Sequence, residues 1–244
     1  MIPEPYILIL TLCIAVLGGL FRGFAGFGGG LLMAPLLTLL HPPLVVVPTL
    51  LMLALIGDTR LLPEVREEVK LRRVLWLALP ALLGLPIGIT ALANIDAEAV
   101  RRFLNVVVLL TAALLASGIR FQNAERPQVL VPVGVVSGML SGIGGLGGVP
   151  VVIAFLSLGE SAKTTRANLV GFFSISNFSA LVMMGVAGVL SVDALKLAIM
   201  CAPFYFLSIH LGSRRFSGTA DGTYRKVALI FLTVVALVGL LMPR

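Results

Sequence analysis

Ten apolar runs separated by short polar stretches make up most of the chain. In order they are Tyr6–Leu20, Gly30–Leu40, Leu44–Ile56, Val74–Ala93, Phe103–Ile119, Val129–Leu140, Val149–Leu158, Leu169–Leu190, Ala194–Gly212 and Val227–Met242. A helix that crosses the hydrocarbon core of a bilayer needs about 17–25 residues. The third to fifth runs and the last three approach that length once flanking residues are added. The first and second runs are shorter, as are the sixth and seventh, and a glycine cluster separates the members of each pair. Each pair therefore predicts two half-helices meeting at a break, a re-entrant hairpin.

Composition sets the solvent. Apolar residues are 59% of the 244 and charged residues 12%, against about 45–50% and 25% in soluble domains. Mean hydropathy is +1.09. Too few charges remain to cover a water-facing surface, so the expected fold class is an all-α, multi-pass membrane protein with the lipid bilayer as its solvent. Cys13 and Cys201 lie inside apolar runs and read as small buried hydrophobes; no cysteine spacing forms a metal site. The net charge of +7 falls in short gaps between apolar runs. Membrane topology explains it there, and no nucleic-acid partner is expected.

Sliding the chain by 119 residues brings Gly19 onto Gly138, Gly23 onto Gly142, Gly26 onto Gly145, Gly28 onto Gly147 and Gly29 onto Gly148. GGLFRGFAGFGGG lies over SGMLSGIGGLGGV. Asp58 then lies over Asn177 and, after a few inserted residues, Pro80 over Pro203, Gly88 over Gly212 and Arg101-Arg102 over Arg225-Lys226. The chain reads as two homologous halves, 1–122 and 123–244. Each holds one re-entrant or broken helix pair and three transmembrane helices.

Three crossings is an odd number, so the second half must be inverted relative to the first. Loop charges support this. With the basic loop Arg60–Arg73 in the cytoplasm, Arg60, Arg66, Lys70, Arg72, Arg73, Arg120, Arg126, Lys163, Arg166, Arg214, Arg215, Arg225 and Lys226 fall on that side. Arg22, Arg101, Arg102, Lys196 and Arg244 fall on the other. Counting every hairpin arm as a full crossing instead makes the halves parallel and divides the charges nearly evenly. The positive-inside rule favours the inverted arrangement.

The glycine clusters carry the chemistry. In hydrocarbon each unpaired backbone group costs several kcal/mol, so backbone leaves helical geometry only inside protein or along a polar cavity. Glycine permits such turns and lets a ligand approach the main chain. A break frees N–H groups at the start of the next half-helix, at the positive end of its dipole. Two such ends brought together near mid-membrane would form an anion site built from Gly26, Gly28, Gly29, Gly30, Gly144, Gly145, Gly147 and Gly148. The alternative for these glycines is close helix packing through small residues.

Gly19–Leu37, GLFRGFAGFGGGLLMAPLL, and Ser137–Leu156, SGMLSGIGGLGGVPVVIAFL, resemble the paired glycine-rich signatures of the TauE/SafE family of sulfite and organosulfonate transporters, within the group named for toluene-sulfonate uptake permeases. The resemblance covers nearly the whole chain. It implies a secondary transporter, an exporter, of the bacterial cytoplasmic (inner) membrane. The implied substrate is a small sulfur-containing anion, with H+ or Na+ as the coupling ion and no cofactor. The second signature reads GGVP, and the first carries Arg22.

Further candidates surround the clusters. Arg22, whose counterpart is Ser141, is a cation inside a membrane segment and a candidate to grip an oxyanion through two hydrogen bonds. Alternatively it reaches an interface or pairs with Asp58. Asn168, Ser174 and Asn177 offer amides and a hydroxyl that can serve an anion or bond neighbouring helices. His210, inside an apolar run, and Asp58 are proton-coupling candidates.

Other classes fare worse. GFAGFGGG lacks the Lys-Ser/Thr of a phosphate-binding loop, so the chain has no ATP site of its own. An intramembrane protease would need Ser141 and His210 as a dyad. An anion channel is not separable from a carrier at this level.

Overall fold

The computed structural model describes residues 5–117 and 121–216, and over them every regular element is a helix. The helices are α1 (Pro5–Ala25), α2 (Gly29–Leu40), α3 (Pro43–Val65), α4 (Leu71–Asn94), α5 (Ala97–Ala116), α6 (Pro127–Gly144), α7 (Gly148–Ser157), α8 (Ala162–Val186) and α9 (Val192–Phe216), with a short 3₁₀ turn at Arg66–Glu68. Six of them (α1, α3 with its 3₁₀ turn, α4, α6, α8 and α9) are long and apolar enough to cross a membrane. Their outer faces carry exposed Ile9, Leu17, Leu83, Ile87, Phe178 and Leu207, apolar surface suited to lipid. The run Val227–Met242 lies outside the described residues.

Both expected helix pairs are present, with one correction. Only the second arm of each is short. α2 has 12 residues and α7 has 10, but α1 has 21 and α6 has 18. The run Tyr6–Leu20 underestimates α1 because the helix continues through Arg22, whose charge is met inside the bundle. Gly18, Gly19 and Gly23 also lie within α1; buried helix packing overrides their low propensity. Cys13 is exposed rather than buried.

In each pair the short arm folds back along the long one. His41, just after α2, lies 3.0 Å through Nε2 from the Thr11 hydroxyl of α1. In the second pair the Ser137 hydroxyl of α6 donates to the Gly147 carbonyl. The first pair has its base where α3 begins. α3 ends at the opposite, basic end, which carries Arg66, Arg72 and Arg73. α4 leads away from that end and α5 returns to it. The second pair has its base there: the Ser157 hydroxyl accepts from the Phe121 N–H at 2.8 Å, Arg73 pairs with Glu160, and Lys163 lies 2.8 Å from Glu68.

Two helix pairs run side by side in the same direction at very close range. A Cβ placed on Gly138 of α6 would stand 2.0 Å from the Ala81 carbonyl of α4, and one on Gly142 would stand 2.6 Å from the Leu85 carbonyl. On α1, a Cβ at Gly19 would stand 2.8 Å from the Tyr205 carbonyl of α9, and one at Gly23 would stand 2.3 Å from that of Ile209. These glycines let backbones approach where lipid offers no hydrophobic drive for helix association.

Candidate functional site

α1 stops at Ala25 and α2 starts at Gly29; between them Gly26 and Gly28 have φ of 79° and 84°. α6 stops at Gly144, and Gly145 follows at φ 66°. These left-handed conformations suit glycine because a Cβ would collide with its own backbone. At Gly28 a Cβ would also stand 2.5 Å from the Phe21 ring. Leu32 N–H is the first to reach back along α2, to the Gly28 carbonyl at 3.2 Å. The amides of Gly29, Gly30 and Leu31 belong to the unsatisfied first turn, at the positive end of the helix dipole.

The two breaks touch. A Cβ on Gly30 would stand 3.0 Å from the Gly145 carbonyl. A cavity of about 30 Å³ lies between them, room for about two waters. Gly28 and Gly30 line it from one break, and Gly145 and Gly148 from the other. Arg22, Asn177, Tyr205 and Phe173 add polar and aromatic wall, and apolar residues such as Leu50, Leu51 and Ala54 of α3 close the rest.

Arg22 is 4% exposed. Its Nη2 donates to Oδ1 of Asp58 on α3, and its guanidinium carbon stands 5.3 Å from the centroid of the Phe173 ring, within cation–π range. Its buried Nε has no acceptor among the described residues. Asn177 of α8 donates from Nδ2 to the other Asp58 oxygen at 3.3 Å. Two charges buried together are tolerable because each neutralises the other and further hydrogen bonds fill their remaining valences. The spare Nε is the unfilled valence here, on a side chain that lines the cavity.

Other expected site residues fall elsewhere. Gly26, Gly29, Gly144 and Gly147 shape the turns without lining the cavity: a Cβ on them would meet Arg166, Gly18, Leu104 and Ser141 respectively. Ser141 is packed behind the second break. Asn168 ties the basic end together, accepting from the Lys70 N–H at 2.7 Å and donating to Glu160 at 3.1 Å. Ser174 bonds the Val170 carbonyl of its own helix at 2.9 Å. His210 faces α3, where Arg60 reaches its Nδ1 at 3.1–3.3 Å. Ser141 and His210 therefore have separate surroundings and form no protease dyad.

Three residues were not singled out from the sequence. Nothing in the sequence sets Tyr205 and Phe173 apart from the other aromatics of the apolar runs. By sequence, Arg166 belongs with the loop charges at the base of the second pair. It is 4% exposed, donates to the Gly23 carbonyl at 2.8 Å and stands 3.8 Å from Glu64. A cation there meets the carbonyl end of α1, directly beneath the first break. Its place one turn into a membrane helix, after Ser161 and Ala162, is the available signal.

A bundle of membrane-length helices, with a small cavity lined by Arg22, Asn177 and the glycines of two backbone breaks, makes this a multi-pass membrane protein. The family model described as "Sulfite exporter TauE/SafE" matches residues 11–240. The chain belongs to this family of transporters. No curated protein and no solved structure matches it.

Proposed function

We propose that the protein is a secondary transporter that exports small sulfur-containing oxyanions, sulfite or organosulfonates, across the bacterial cytoplasmic membrane. The observation that carries this reading is that both backbone breaks and Arg22 line one cavity. An oxyanion there accepts from the guanidinium, from the first-turn amides of α2 and from the Asn177 amide. These are charge-assisted hydrogen bonds, roughly twice as strong as neutral ones.

The cycle is alternating access, with the breaks holding the anion while two inverted repeats, 1–122 and 123–244, rock about it. The packing supports the repeat. Gly19 meets the Tyr205 carbonyl as Gly138 meets that of Ala81, and Gly23 meets Ile209 as Gly142 meets Leu85. The reverse contacts match too: Gly212 approaches the Leu20 carbonyl at 2.1 Å and Gly88 that of Met139 at 2.1 Å. Asp58 and Asn177, counterparts at the repeat offset, bond each other. Counterparts meet only near the axis that exchanges the halves. The basic end faces the cytoplasm.

The test is a thermal-shift screen of detergent-purified protein with sulfite, thiosulfate, taurine, sulfoacetate and carboxylates. A ligand at about 100 times its Kd stabilises the folded state by about 2.7 kcal/mol. Stabilisation by sulfur oxyanions is expected. A flat response to every anion would remove the proposal.

A further inference from the structure

Resting on the anion-site reading above, we propose that Asp58 is the group that couples transport to protons: each monoanion bound beside Arg22 is accompanied by one proton, taken up by the Asp58 carboxylate. Without ligand the site is balanced, one guanidinium against one carboxylate, both buried. A monoanion entering this cavity leaves one uncompensated negative charge in a low-dielectric interior. Burial strongly disfavours such a charge. Protonating Asp58 removes it: Arg22 stays cationic and now balances the anion, and the carboxylate becomes a neutral acid. The anion also gains the guanidinium valences that Asp58 held, besides the free Nε.

The groups around Asp58 leave it as the acceptor. From α1 it faces Arg22 and from α8 the amide of Asn177. From α9 it faces Tyr205, whose phenol is already protonated. α2, Gly29–Leu40, carries no titratable side chain. The next charged residues on α3, Arg60 and Glu64, are 2.7 Å from each other and face His210 and Arg166. His210 sits against a cation and does not line the cavity, so a proton there neutralises nothing at the site. Protonated Asp58 has nearly the shape of an asparagine, the residue its counterpart Asn177 carries, and it keeps a hydrogen bond to that amide. Anion and proton then favour each other's binding by the same factor, as linkage requires. For a monoanion the loaded step moves no net charge, and the combined anion and pH gradients set its direction.

The probe is ethanesulfonate, a permanent monoanion that cannot supply or consume the proton itself. In weakly buffered detergent solution with an indicator dye, wild-type protein is expected to take up about one proton per ethanesulfonate bound. Its apparent Kd should rise about tenfold per pH unit over the range in which Asp58 is charged in the free site and protonated in the anion-bound one. Asp58→Asn should bind ethanesulfonate with no proton uptake and no such slope. Binding to wild type without proton uptake, or proton uptake that persists in Asp58→Asn, overturns the coupling while leaving the anion site standing. Should neither ethanesulfonate nor sulfite bind wild type, the site itself falls and the coupling with it. The wild-type dye measurement decides the matter even if the variant fails to fold.

Discussion

Arg22 survives in a membrane segment because the chain supplies Asp58 36 residues later and an amide from α8 to hold that carboxylate in place. Removing one member of a buried ion pair strands the other, at a cost of about 3–5 kcal/mol. Arg22→Gln is therefore expected to lower thermal stability in detergent by about that much and to weaken oxyanion binding at least tenfold. The double variant Arg22→Gln/Asp58→Asn should recover much of the stability, since no charge is left unpaired, but not the anion affinity. A double-mutant cycle of melting temperatures with and without sulfite reads both effects. Additive losses of stability would mean that the pair is not coupled. The sequence shows the Arg22–Asp58 pair as one of several options for two intramembrane charges. It hides Tyr205 and Phe173, because an aromatic in an apolar run looks the same whether it faces lipid or a cavity.

At the scale of helices, repeated glycines do two jobs that the sequence shows as one. Gly19, Gly23, Gly138 and Gly142 are contact points between parallel helices, whereas Gly26, Gly28 and Gly145 are turns. Spacing reveals that the cluster repeats, but only the partner helix decides which glycine packs and which bends. Gly138→Ala, with its Cβ 2.0 Å from a backbone carbonyl, is expected to destabilise by about 1–3 kcal/mol through overpacking. Gly19→Ala, at the matched position, should do the same. Gly185→Ala near the end of α8 is the control. Its Cβ meets only a Leu190 methyl at 3.5 Å, and its effect should stay within about 0.5 kcal/mol. Equal melting temperatures for all three proteins would refute the close-packing role. The run lengths place the helix breaks well but make the long arms too short: Tyr6–Leu20 ends before Arg22 and Val129–Leu140 ends before Ser141 and Gly142, whereas both helices continue through these residues.

Across the whole molecule, the positive charge and the paired breaks belong to one arrangement. Arg66, Arg72, Arg73 and Lys163 gather at the end where the second helix pair has its base, while Arg101, Arg102 and Lys196 lie at the other, at the starts of α5 and α9. Cysteines introduced at the exposed positions Glu67 and Asp96 should therefore label from opposite sides of intact cells. Glu67→Cys is expected to need permeabilisation and Asp96→Cys not; labelling of both from one side would break the topology. Over the described residues, the order of the helices and the two glycine breaks were legible because bilayer thickness and backbone hydrogen bonding constrain sequence directly. The grouping of Asn168 and Ser174 with Asn177 was not. Helix periodicity cannot tell that α8 passes from a polar tie at the basic end to the cavity within about two turns.

If both breaks serve one anion, a density map of the protein with selenite will show it. Selenite is the heavier homologue of sulfite, and its selenium is a strong scatterer. A single peak is expected in the cavity between Gly30 and Gly145, within hydrogen-bond reach of Arg22 and absent in Arg22→Gln. Selenite bound only at the exposed basic loops, with the cavity unchanged, would contradict it.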